Sequence, residues 1–119
     1  YAACYDERIK LSAPSCAYCP YQESILAMYH CICNYIPHAY EWFDMQDLSI
    51  LIAPRKLLIT AGGIDPIFPI DGVKRGFKTT EAIYTRLGVR DNLDLTVTPL
   101  GHHYCPDLIW PKINKMLPR

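Results

Sequence analysis

One stretch constrains this chain more than any other: Lys56-Leu57-Leu58-Ile59-Thr60-Ala61-Gly62-Gly63-Ile64-Asp65-Pro66. An apolar run closed by turn residues reads as a strand buried on both faces, the kind found in parallel sheets. Two glycines at its end let the backbone turn sharply. Asp65 is then left at the carboxyl edge of the sheet, where open α/β folds place their chemistry.

The rest of the chain supplies partners for that strand. Residues 1–7 read as the last turn of a helix, and residues 8–14 alternate as a short strand ended by Pro14. A helix is expected from Gln22 to Asn34, with Ile25, Met28, Tyr29 and Ile32 on one stripe. A second would carry Trp42, Phe43, Met45, Leu48 and Ile52 up to Pro54. After the central strand, Pro69 takes a first helical position with Asp71 in the first turn. Val73, Phe77, Tyr84 and Leu87 form the buried stripe of that helix, and Gly88 stops it. Leu93, Leu95 and Val97 alternate with polar residues as a strand, and Leu108, Ile113, Met116 and Leu117 mark a last helix. Strands alternating with helices predict an α/β fold, three parallel strands with crossover helices.

Asp65 and His102 each follow the carboxyl end of a strand, with one helix and one strand between them. A βαβ unit sets those two ends side by side. A carboxylate beside an imidazole can hold it in one tautomer and stabilise its charged form. The plainer alternative is that Asp65 caps the turn before Pro66 and that His102 and His103 are solvated.

Composition excludes several classes. Lys plus Arg and Asp plus Glu number 12 each, so no excess charge favours nucleic acid or an anionic membrane. No apolar run approaches the roughly 20 residues of a membrane span. Half of the 119 residues are hydrophobic, enough for a core without disulfide staples. The six cysteines are therefore read as reduced thiols of a cytoplasmic enzyme, with a secreted protein kept open. Cys16-Ala17-Tyr18-Cys19 with His30, Cys31 and Cys33 offers a zinc-ligand set, although Cys31-x-Cys33 is tighter than the usual spacing. The aromatic stretch Tyr35 to Phe43 is expected to pack or to cover an acyl pocket.

Four segments carry a family resemblance: His30-Cys31-Ile32-Cys33-Asn34-Tyr35-Ile36-Pro37, and Phe43-Asp44-Met45 through Ile52-Ala53-Pro54-Arg55. The other two are Asp65-Pro66-Ile67-Phe68-Pro69, and Gly101-His102 with Asp107-Leu108 and Trp110-Pro111. Through these the chain resembles the C-terminal part of an α/β-hydrolase, in the dienelactone-hydrolase-like branch that contains acetyl xylan esterases. The resemblance implies a serine-dependent hydrolase of carboxylic esters, with Asp65 as triad acid and His102 as base in the order Ser, acid, His. It implies neither cofactor nor metal, and a small ester as the partner. It favours His102 over the neighbouring His103, because the Gly-His step falls at Gly101-His102.

The G-x-S-x-G elbow of such enzymes is missing: Ser12, Ser15, Ser24 and Ser49 have no glycines around them. Residues 1–119 are thus expected to be the C-terminal portion of the domain, without the half that bears the elbow and the oxyanion amides. The start at Tyr1 is read as a cut. Such a chain would present an open sheet edge and self-associate through it. The readings weighed against this one are a zinc-stabilised module built on the cysteines and an inactive remnant that pairs with another chain.

Overall fold

The computed structural model describes residues 1–117. A four-residue helix α1 (Ala2–Tyr5) leads to β1 (Leu11–Ser12), and two short helices follow, α2 (Ala39–Trp42) and α3 (Met45–Ile50). Then come β2 (Lys56–Gly62), the long helix α4 (Ile70–Arg86), β3 (Leu93–Thr98) and α5 (Pro106–Met116). Single 3₁₀ turns occupy Tyr21–Glu23, Ile32–Asn34 and Arg90–Asn92.

The three strands form one parallel sheet in the order β1-β2-β3. Leu57 pairs with Leu93 and Gly62 with Thr98, so β2 and β3 end together. Every residue of β2 from Leu57 to Gly62 is buried, as expected for a central parallel strand. Leu57, Ile59 and Ala61 point into a core shared with Val73, Phe77 and Tyr84 of α4. Leu58 and Thr60 alternate onto the other face and are buried too. Helix α5 packs on β2, and Lys112 Nζ binds Asp94 Oδ2 at 2.6 Å to tie it to β3.

Helix α4 follows its sequence signals closely. Asp71 lies in its first turn, Arg86 in its last, and Gly88 beyond it has the left-handed φ of 71° that a helix stop demands. Pro69 is its N-cap instead of its first residue, and Leu87 is exposed.

Elsewhere the sequence expectations need correction. The strand expected over residues 8–14 shrinks to Leu11–Ser12, yet its pairing resumes past Pro14: Thr60 N–H donates to Pro14 O at 3.0 Å and Ser15 bridges Thr60. The helix expected over Gln22–Asn34 does not form. Ile25 is buried, but Met28, Tyr29 and Ile32 face outward, and a buried stripe is what would hold such a helix. The stretch from Trp42 to Ile52 is broken in two. Asp44 stops the first piece and caps the second, accepting from Met45 N–H at 2.6 Å and Tyr21 N–H at 2.8 Å, while Asp47 accepts from Asp44 N–H at 2.8 Å. Trp42, expected inside, is 83% exposed.

Candidate active site

Three loops leave the carboxyl ends of the three strands, and the residues that follow those ends meet. Residues 62–68 descend from β2. Asp65 N–H returns to Gly62 O, and the carboxylate then turns inward, with its side chain fully buried. Its Oδ1 accepts from the backbone N–H groups of Ile67 (2.8 Å) and Phe68 (3.1 Å). That is the turn-capping role foreseen as the plainer alternative, and it uses only one of the two oxygens.

The other oxygen, Oδ2, lies 2.9 Å from His102 Nδ1. Burial pushes the Asp65 carboxyl toward its neutral form. The Ile67 and Phe68 amides, followed by the hydrogen bond and charge of His102, outweigh that and hold it below its ordinary value of 3.8. The carboxylate therefore accepts from Nδ1–H, which leaves Nε2 with its lone pair and, among the described residues, without a hydrogen-bond partner. The His102 side chain is 43% exposed, so that nitrogen can be reached.

The approach of the two loops explains the glycines differently from the sequence reading. Neither Gly62 nor Gly63 has a positive φ. A Cβ on Gly62 would lie 2.1 Å from Gly101 O and 2.6 Å from Leu100 O. Gly62 is there for clearance, so that the loop carrying His102 can pass over the end of β2. His103 is exposed, donates its N–H to Gly101 O at 2.9 Å, and pairs with no carboxylate among the described residues.

Two neighbours were not visible in the sequence. Phe68 stacks on His102 with ring centroids 5.7 Å apart and planes 16° from parallel, and His30 lies edge-on to Phe68 at 5.6 Å. Cys16, the residue after the Ser15–Thr60 bridge, completes the set. Its signal was available: it follows β1 just as Asp65 and His102 follow β2 and β3. An open cleft of 520 Å³ lies alongside, lined by Ser15, Cys16, Tyr29, His30, Phe68 and His102 among others. The segment Tyr35 to Phe43, expected to pack or to cover an acyl pocket, contributes nothing to the lining of this cleft, while its Tyr40 packs edge-on against Tyr21 with ring centroids 6.1 Å apart.

The cysteine-based zinc set does not assemble. Cys31 and Cys33 are exposed, whereas Cys19 is fully buried and its thiol is pushed up to about 12, chiefly by burial. All six cysteines are free, and the metal-capable cluster among the described residues contains Cys16 but not Cys19, His30, Cys31 or Cys33.

No protein-family model matches the sequence. The chain is 28% identical over 105 residues to the protein named Putative hydrolase YtaP of Bacillus subtilis, a match covering 86% of this chain and 35% of that one. Its structure superposes on a family 15 carbohydrate esterase, a glucuronoyl esterase from Caldicellulosiruptor kristjansonii, with TM-score 0.73 at 19% identity, covering 95% of this chain and 37% of that one. A putative acetyl xylan esterase from Bacteroides fragilis gives TM-score 0.71 at 17% identity, covering 98% and 39%. The chain thus spans between a third and two fifths of the length of the proteins it resembles. Its fold is the C-terminal portion of an α/β-hydrolase.

Proposed function

We propose that this chain carries the acid and the base of a serine-dependent carboxylic-ester hydrolase. The observation that carries the reading is the His102 Nδ1–Asp65 Oδ2 contact of 2.9 Å at the carboxyl edge of the sheet, beside an open cleft. In this reading His102 Nε2 takes the proton of a serine hydroxyl as it attacks the ester carbonyl, and later returns it to the departing alkoxide. Asp65 fixes the tautomer and stabilises the imidazolium while it exists. The serine and the oxyanion amides are supplied by residues outside these 119, since no G-x-S-x-G motif occurs among them.

The substrate class is a small carboxylic ester, with acetyl esters of carbohydrates favoured. Support comes from the structural neighbours, named as glucuronoyl and acetyl xylan esterases, and from a sequence relative named as a hydrolase.

Kinetics of the longer protein that holds the serine test the assignment. His102→Ala is expected to lower kcat by about 10⁴-fold, because members of a triad act as a unit. His103→Ala is expected to change it little. A crippling His103→Ala with a nearly silent His102→Ala would move the base to His103. Residues 1–119 alone are expected to hydrolyse aryl acetates no faster than buffer. A burst of aryl alcohol, blocked by a serine- or cysteine-directed inhibitor, would reveal a nucleophile within the chain.

A further inference from the structure

The ends of all three strands converge on one point. Cys16 Sγ, a carboxylate oxygen of Asp65 and a ring nitrogen of His102 all lie within 4.8 Å of one another. We propose that these three side chains form a binding site for a single zinc ion.

The donors are the types zinc takes: one thiolate, one carboxylate and one imidazole. With bond lengths of about 2.0–2.3 Å, tetrahedral ligands stand roughly 3.3–3.6 Å apart. The present spans, from 2.9 Å for His102 Nδ1 to Asp65 Oδ2 up to 4.8 Å at most, bracket that range. The ion would displace the Nδ1 proton, the ring then carrying its proton on Nε2, and would release the Cys16 thiol proton to solvent. Side-chain rotations of about an ångström close the set around an ion. Charge also balances, since two negative ligands neutralise a divalent cation in a place where Cys16 and Asp65 are both buried.

The surroundings already hold two of the ligands. Asp65 Oδ1 is occupied by the Ile67 and Phe68 amides, which orient the carboxylate and leave Oδ2 for the ion. Cys16 is held in the left-handed region (φ 48°), with its N–H on Thr60 O at 2.9 Å. A residue with a side chain rarely adopts that backbone, and here it accompanies an Sγ within 4.8 Å of the Asp65 and His102 ligand atoms. The thiol's present partners are the carbonyls of His103 (3.6 Å) and Gly101 (4.0 Å), weak contacts that are readily given up. His102 is half exposed to the cleft, which provides an entry path and leaves the fourth position for water.

Loading the site would remove acid and base together from the proposed hydrolysis, so zinc would act as an inhibitor of that reaction. This consequence rests on the proposed function, but the binding does not.

The test therefore reads the metal directly. The reduced chain is titrated with zinc in competition with a chromogenic chelator, and with cobalt to reveal a thiolate-to-metal charge-transfer band. One equivalent is expected to bind, with the band present. Cys16→Ser is expected to abolish the band and weaken zinc by at least about 100-fold, the upper end of what losing a ligand's supporting partner costs. His102→Ala, at a half-exposed side chain, is expected to weaken zinc similarly while keeping the band. Replacing Cys31 and Cys33 by serine is expected to change neither. No binding by the wild type, a band that survives Cys16→Ser, unchanged affinity in His102→Ala, or loss of binding with the Cys31 and Cys33 replacements would each overturn the proposal.

Discussion

Asp65 gives its two oxygens different partners, and this makes its contribution to stability depend on pH in a definite direction. Its carboxyl is held below the ordinary 3.8, because the Ile67 and Phe68 amides and His102 together outweigh the penalty of burial. A carboxyl bound more weakly by protons when folded stabilises the fold above its unfolded value and loses that contribution as pH falls through the folded one. Asp65→Asn can keep the two amide contacts through its side-chain oxygen but gives up the charge. Urea midpoints of wild type and Asp65→Asn are therefore expected to differ at pH 7 and to draw together below about pH 4, the ordinary carboxylate range. A gap that stays constant down to pH 3 would mean that the charge contributes nothing. If the proposed triad operates in a longer protein, the same substitution is expected to be severe for kcat there, since the amide favours the wrong imidazole tautomer.

At the scale of elements, the site depends on two loops passing over the end of β2 with no room to spare. Gly62→Ala places a methyl group 2.1 Å from Gly101 O, a backbone atom that can give way only if the whole loop of residues 100–103 moves. Overpacking of this kind costs about 1–3 kcal/mol. Urea unfolding is expected to show a loss of that size, and the Nδ1–H resonance of His102 is expected to shift as its bond to Asp65 lengthens. An unaltered midpoint and resonance would show that the loop adapts freely. What the sequence could reveal also divides along elements. Helix α4 and strand β2 were legible because propensity, pattern and stop signals agree in each, whereas β3 was legible in extent only, since Val97 is exposed and Thr96 and Thr98 are buried. The segment 22–34 misled because Ile25 alone of its supposed stripe turns inward. The fully buried Ser24 hydroxyl donates to Ile67 O at 2.7 Å and pins the chain beneath the Asp65 loop, and that contact spans 43 positions of sequence. Local periodicity has no access to such a tie. Asp65 and His102 were found from topology, since parallel strand ends fall together. Cys16 lies at an equivalent end, but in the sequence it forms a C-x-x-C pair with Cys19, whose side chain goes into the core.

For the molecule as a whole, the sheet leaves an edge. β1 pairs with β2 on one side through Leu11 and Ser12, and among the described residues no strand pairs with its other side. Unpaired backbone groups on such an edge are a template for another chain. Apolar surface surrounds the sheet as well. Trp42, Ile32, Tyr29 and Tyr5 are each more than four fifths exposed, and a separate cleft of 200 Å³ is lined largely by apolar residues including Ile25, Met45, Leu48, Ile52 and Leu57. No helix among the described residues is long and apolar enough to cross a membrane. Contiguous apolar patches beyond a few hundred Å² tend to find partners. Residues 1–119 alone are accordingly expected to self-associate at micromolar concentration, with β1 in the interface. Sedimentation velocity is expected to show weight-average mass rising with concentration above the 13.6 kDa of one chain. Leu11→Pro, which removes a backbone donor on the open side of β1 while the neighbouring Lys10 and Ser12 keep the pairing with β2, is expected to reduce the association. A single species of 13.6 kDa that unfolds cooperatively would show that the chain satisfies its own edge, and would retire the argument.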